Sequence, residues 1–78
     1  MTGEVVELTM DEAVAVKKRH MDEGVRDLGK QWYTTTMATP EDAVRWLNTP
    51  PAQGPGEGWT TSRPDGRVQV YYWYYSFS

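Results

Sequence analysis

The segment from Arg67 to Phe77 constrains the fold of this 78-residue chain more than any other. It reads Arg-Val-Gln-Val-Tyr-Tyr-Trp-Tyr-Tyr-Ser-Phe, and such a density of β-branched and aromatic residues favours a β-strand. At about 3.3 Å per residue, the extended segment is roughly 36 Å long. The strand predicted before it, Trp59–Ser62, is much shorter, so the far end needs another partner. A central position beside a strand containing Trp32 is the most economical arrangement.

Side chains alternate between the two faces of a strand, and here neither face is polar. One face carries valines and tyrosines: Val68, Val70, Tyr72 and Tyr74. The other carries most of the remaining aromatic side chains: Tyr71, Trp73, Tyr75 and Phe77, together with Gln69. Two helices can cover only one side of a small sheet, and we assign them to the valine face. The second face then exposes an aromatic patch of roughly several hundred Å², at the upper limit of what monomers show. We interpret it as a binding surface; the alternatives are rings that lie along the sheet with their hydroxyls in water, or a Pro- and Gly-rich loop folded over them.

The first predicted helix begins at a capping box, Thr9-Met10-Asp11-Glu12. Apolar residues at steps of three and four extend it to about Leu28, with Gly24 inside the helix and Gly29 just beyond its end. Its predicted buried row is Met10, Val14, Met21, Val25 and Leu28.

A second, shorter helix is predicted between residues 39 and 48. Thr39 is its N-cap and Pro40 its first helical residue, and Asn48 followed by Pro50-Pro51 ends it. Its predicted apolar stripe is Ala43, Val44 and Leu47, with Trp46 beside it.

Further strands are predicted at Glu4–Leu8 and Gln31–Met37, and the turn Arg63-Pro64-Asp65-Gly66 joins the last two strands. The resulting β-α-β-α-β-β order predicts an α+β fold with two helices packed on one face of a single small sheet. A chain of this length forms one domain, residues 1–78. The Pro- and Gly-rich segment Pro50 to Gly58 is a connector across one end of the sheet or, alternatively, a mobile lid.

Catalytic and metal sites find little support in the sequence. With no Cys and one His, disulfides, thiolate zinc sites and all-nitrogen metal sites are excluded, and no cofactor is expected. His20, within Lys17-Lys18-Arg19-His20, is predicted to be a solvated helix residue. The acid pairs are explained by two helix starts and one solvated helix face: Asp11-Glu12, Glu41-Asp42 and Asp22-Glu23. We therefore expect a protein that is not an enzyme.

The formal charge of −3 argues against a general nucleic-acid binder. No segment approaches the ~18 apolar residues of a membrane span, and residues 1–8 lack the features of a signal peptide, so a cytoplasmic protein is expected. The hypothesis that follows is a protein-interaction module, such as an accessory subunit, an inhibitor or an antitoxin-like factor. Its partner would be a second copy or a larger protein, bound through Tyr71, Trp73, Tyr75 and Phe77. The alternative is a single-stranded nucleic acid or a small planar ligand on the same aromatic face.

Overall fold

Six secondary-structure elements follow one another along the chain. A computed structural model describes residues 5–25 and 29–76. The elements are β1 (Val6–Glu7), α1 (Met10–Glu23), β2 (Lys30–Met37), α2 (Pro40–Leu47), β3 (Gly58–Ser62) and β4 (Val68–Tyr75). The β-α-β-α-β-β order and the α+β class are confirmed. The predictions made for Glu4, for residues 26–28 and for Phe77 lie outside the described residues.

The four strands form one mixed sheet in the order β1-β2-β4-β3. β1 pairs in parallel with β2, whereas β4 pairs antiparallel with β2 on one side and with β3 on the other. The ladder between β2 and β4 runs from Lys30 opposite Tyr75 to Met37 opposite Val68. β4 extends beyond the end of β3, and this extension pairs with β2, the strand that contains Trp32, as predicted from the length of the segment.

α1 begins at the predicted capping box and ends earlier than predicted. The amide of Glu12 donates to Thr9 Oγ1 at 3.1 Å, and the amide of Thr9 donates to Glu12 Oε1 at 2.8 Å. The helix stops at Glu23 rather than near Leu28, because Gly24 adopts φ +84°, ψ 171°. Only glycine reaches this region without strain, so Gly24 ends the helix instead of lying inside it.

Of the predicted buried row of α1, Met10 packs against the core, but the next three residues do not. Val14 is 45% exposed and Met21 57% exposed, and Val25 lies beyond the helix end and is also exposed. The residues that face the sheet are Ala13, Val16, Lys17 and His20. The small Ala13 allows close approach to the sheet, and the polar ends of Lys17 and His20 have hydrogen-bond partners inside the fold. Burial of these polar residues is therefore compatible with folding.

The core lies between the sheet and the two helices. Thr39 caps α2 by accepting from the amide of Asp42 at 3.1 Å. Within α2, Ala43 of the predicted apolar stripe is buried, and so is Trp46 beside it, whereas Val44 of that stripe is 60% exposed. The buried apolar residues are Ala13, Val16, Tyr33, Met37, Ala43, Trp46, Val68, Val70, Tyr72 and Tyr74. The helices thus cover the valine face of β4, as predicted. Within the described ranges, neither helix is long and apolar enough to cross a membrane.

Candidate interaction surface

The side of the sheet opposite the helices carries a cluster of large rings. Tyr71 and Trp73 of β4 lie there, both half-buried, whereas their neighbours on the strand are buried under the helices. Strand register places Trp32 opposite Trp73 and Trp59 opposite Tyr71, and directly opposed residues share a face. We call these four residues the aromatic face: Trp32, Trp59, Tyr71 and Trp73.

The four rings form a connected chain of contacts. The ring centroids of Trp32 and Trp73 lie 5.4 Å apart, and those of Trp32 and Trp59 lie 4.9 Å apart in an edge-on arrangement. Trp59 and Tyr71 stack at 5.1 Å with an interplanar angle of 18°. These distances are within the range of favourable aromatic pairs. Trp59 nevertheless remains 50% exposed, which is the largest exposed aromatic surface among the described residues.

Trp32 and Trp59 were not among the predicted partner-binding residues. The position of Trp59, however, follows from counting residues along the two strands of the hairpin. If the turn closes with Arg63 opposite Arg67, the hairpin register places Trp59 opposite Tyr71. The structure has this register, with the amide of Arg63 donating to the carbonyl of Arg67 at 2.9 Å. The position of Trp32 depends on pairing between strands that are distant in sequence, for which the chain carries no comparable local signal.

Tyr75 lies apart from the aromatic face, at the end of β4. Its ring contacts Tyr74 at 5.4 Å and His20 edge-on at 6.3 Å, and the ammonium of Lys30 lies 4.8 Å from its centroid. Tyr75 is partly buried and packs against the core at this end of β4. Phe77, the fourth predicted residue, is outside the described residues.

Beside the aromatic face, the same side of the sheet is polar and internally satisfied. Gln69 is buried, and its amide nitrogen donates to Thr34 Oγ1. Its carbonyl oxygen accepts from Thr36 Oγ1 at 2.9 Å and from Arg63 Nη1 at 2.8 Å. Thr34 Oγ1 in turn donates to the carbonyl of Val70 at 2.9 Å. The polar side chains of this network are thus hydrogen-bonded to one another, and the exposed apolar surface on this side of the sheet belongs to the rings.

The cations around this side of the sheet are paired with carboxylates. Lys30 Nζ lies 2.9 Å from Glu57 Oε2, and this hydrogen bond raises the pKa of Lys30. The pKa of Glu57 is lowered, first by the Gly54 amide and then by Lys30. At the hairpin turn, Asp65 accepts from the backbone and side chain of Arg67, which holds its pKa at about 2.

On the other side of the sheet, Lys17 is buried without a carboxylate among its contacts. Its ammonium donates to the carbonyls of Trp46 and Thr49 at 2.7 and 3.1 Å, and to Gln53 Oε1 at 2.8 Å. It also lies 4.3 Å from the centroid of the Trp46 ring. Lys17 thus donates hydrogen bonds to carbonyls at the C-terminus of α2, where the helix dipole favours a cation. Its hydrogen bond to Gln53 also links α1 to the loop that follows α2. Burial lowers its pKa to about 8.

The prediction that His20 is solvated is wrong. The side chain is 9% exposed, and Nδ1 lies 2.8 Å from the hydroxyl of Tyr74. The prediction placed His20 on the solvent side of α1 because its neighbours in sequence are charged. In the structure, His20 lies on the side of α1 that packs on the sheet. Burial, and then the charge of Arg19, lower the pKa of His20. The imidazole contacts the hydroxyl and ring of Tyr74 and, edge-on, the ring of Tyr75, so it joins α1 to the end of β4.

A cavity of about 440 Å³ lies away from the aromatic face. Its buried lining includes Met37 and Trp46, and its exposed lining includes Arg45 and Arg67. None of the four residues of the aromatic face contributes to it. In the part of the chain that the structure describes, no three His, Cys, Asp or Glu side chains are grouped so that they could hold a metal ion.

No protein-family model matches the chain, and neither a curated protein nor a solved structure matches it.

Proposed function

We propose that this protein is a non-enzymatic interaction module whose aromatic face binds a protein surface, most simply the same face of a second copy. The observation that carries the proposal is the uncovered cluster of three Trp and one Tyr, in which Trp59 is half exposed. Trp and Tyr supply much of the binding energy at protein interfaces. A small domain also gains stability when a second copy buries such a surface.

The charges around the aromatic face favour a protein partner over single-stranded nucleic acid. A nucleic-acid site needs cations that are free to contact phosphates. Here Lys30 is paired with Glu57, and both Arg63 and Arg67 contact Asp65. Each of these cations is thus in contact with a carboxylate that would repel phosphates, and the whole chain is acidic.

The packing of the rings also favours a protein surface over a small planar ligand. A planar molecule binds best in a slot between rings or in a concave pocket. The rings of the aromatic face already contact one another at centroid distances of 4.9–5.4 Å, so no slot lies between these four described residues. The cavity described above does not include them.

Sedimentation velocity over a range of concentrations tests the proposal. We expect the wild-type protein to sediment as a species larger than its 8.9 kDa monomer. Trp73→Thr keeps a β-branched residue in β4 but removes one ring, and we expect self-association to weaken by at least about tenfold. Val44→Thr is the matched control, because Val44 is 60% exposed on α2, away from the aromatic face.

A wild-type protein that stays monomeric at all concentrations would contradict self-association through this face, as would equal weakening by Trp73→Thr and Val44→Thr. Titration with short oligonucleotides at low salt addresses the alternative. Quenching of Trp fluorescence that fades as salt is added would favour nucleic acid instead.

A further inference from the structure

β3 is an edge strand with no partner on its outer side within the described residues. The sheet order places it last, next to β4 alone. Four of its five residues, Trp59 to Ser62, are exposed. Its sequence Gly-Trp-Thr-Thr-Ser contains no charged residue and no proline. Charged residues, prolines and bulges are the usual devices that keep an edge strand from pairing with another chain, and β3 has neither of the first two.

Two hydrogen bonds determine which backbone groups of β3 face outward. The amide of Arg63 donates to Arg67, and the amide of Trp73 donates to Glu57. In an antiparallel pair, hydrogen-bonded residues alternate, so residues 57, 59, 61 and 63 direct their backbone groups toward β4. Gly58, Thr60 and Ser62 therefore direct their N–H and C=O groups away from the sheet.

This row of outward groups is symmetric about Thr60. The next outward position at one end is Pro64, which has no N–H, and at the other end it is Gly56, which lies in a turn with φ +78°. We propose that β3 pairs antiparallel with β3 of a second copy, about a twofold axis that passes beside Thr60. Thr60 then faces Thr60 of the other copy, and Gly58 faces its Ser62. All three outward N–H and C=O pairs are satisfied, which makes about six backbone hydrogen bonds between the copies.

The charges of the two edges support β3 rather than β1 as the pairing strand. β1 has only two residues and carries Glu7. Two copies of β1 would bring like charges together, whereas the uncharged β3 has nothing to repel its own copy. Because the twofold axis is perpendicular to the sheet, both aromatic faces end up on the same side of one continuous sheet. The edge pairing is therefore independent of what the aromatic face binds.

Thr60→Pro tests the pairing by removing one outward N–H. The N–H of Thr60 is not used in the ladder with β4, so we expect the variant to fold, as judged by circular dichroism and its unfolding midpoint. Self-association through the edge should weaken by at least about tenfold, since each dimer loses two hydrogen bonds. Thr60→Val is the matched control, because it keeps the N–H and the branched shape. Equal association of the Pro and Val variants would overturn the proposal.

Cross-linking tests the register and does not depend on how Thr60→Pro folds. The chain has no cysteine, so Thr60→Cys introduces a single thiol. Directly opposed residues of a hydrogen-bonded pair have Cα atoms about 5.5 Å apart, which suits a disulfide. Thr61→Cys is the control, since Thr61 would face Trp59 of the other copy. We expect oxidation to cross-link the variant at position 60 at least about tenfold faster. Similar rates at both positions would overturn the twofold pairing.

The solution masses of the wild-type protein and the two variants distinguish association through the β3 edge from association through the aromatic face. If both surfaces associate, the wild-type protein is a dimer of dimers, and Thr60→Pro and Trp73→Thr each leave a dimer. If only the edge associates, the wild-type protein is a dimer that Trp73→Thr does not change and Thr60→Pro dissociates. A dimer that responds to Trp73→Thr alone, or a wild-type monomer, would overturn the edge proposal.

Discussion

The buried ammonium of Lys17 should make the protein more stable as the pH rises. Its contacts are carbonyls, the Gln53 amide and aromatic rings, so no carboxylate offsets the loss of hydration. Burial therefore lowers its pKa from 10.5 to about 8. The unfolded chain then binds more protons than the folded protein between these two values. By linkage, the free energy of unfolding increases with pH across this window.

The size of the effect follows from the two pKa values. Full deprotonation of Lys17 changes the free energy of unfolding by about 3 kcal/mol, at about 1.4 kcal/mol for each tenfold change in proton affinity. Between about pH 7 and pH 9.5, the linkage relation predicts that the free energy of unfolding increases by about 2 kcal/mol. Tyr72 and Tyr74 act in the opposite direction, because burial raises their pKa above 10.0. Their effect by about pH 9.5 is only a few tenths of a kcal/mol, and it grows at higher pH.

Urea unfolding followed by Trp fluorescence measures this change at a series of pH values. We expect the free energy of unfolding to increase from pH 7 to 9.5 and to decrease once the pH passes 10. Lys17→Met, which keeps the length of the side chain without the ammonium, should remove the increase and keep the later decrease. A flat profile in the wild-type protein, or an equal increase in Lys17→Met, would show that the ammonium is not penalised by burial.

Two further predictions concern single residues of α1 and its end. The pKa of His20 is lowered, so stability should fall as the pH drops through about 6.5 toward 5, and His20→Gln should lose this dependence in thermal unfolding. A wild-type melting temperature that is constant over that range would contradict it. Gly24→Ala should destabilise the protein by about 1–3 kcal/mol in urea unfolding, because φ is +84° there. Gly54→Ala, at a glycine without positive φ, is the control, and equal effects of the two would contradict a backbone cause.

Local signals account for most of the fold that could be predicted. The capping residues Thr9 and Thr39 each make the expected hydrogen bond, and these bonds place the helix starts correctly. The turn at Arg63–Gly66 closes as expected, with the amide of Gly66 donating to Arg63 at 3.0 Å and φ of +87° at Gly66. Capping and turn preferences depend on neighbouring residues alone, so they can be recognised without knowledge of the tertiary structure.

The buried face of α1 could not be predicted because hydrophobicity alone does not determine it. Lys17 is 1% exposed and Val14 is 45% exposed, so the charged residue is buried and the apolar one is not. Lys17 becomes favourable in the interior only because the end of α2 and Gln53 offer three acceptors for its ammonium. These acceptors are distant in sequence, so the stabilising contact exists only after the chain has folded. The same holds for His20, whose partner Tyr74 lies on β4.

Trp59 connects the two proposed surfaces through the geometry of a single strand. Its backbone groups pair inward with Tyr71, so they are not available to a second copy, while its side chain lies on the aromatic face. Edge pairing would place Thr61 of the second copy opposite Trp59 on that face and reduce its 50% exposure. The fluorescence of Trp59 should therefore respond to association at either surface. Trp73 lies on the central strand β4, so its ring should respond only to a partner on the aromatic face. Comparing Trp59→Thr with Trp73→Thr thus identifies which surface a given change in fluorescence reports.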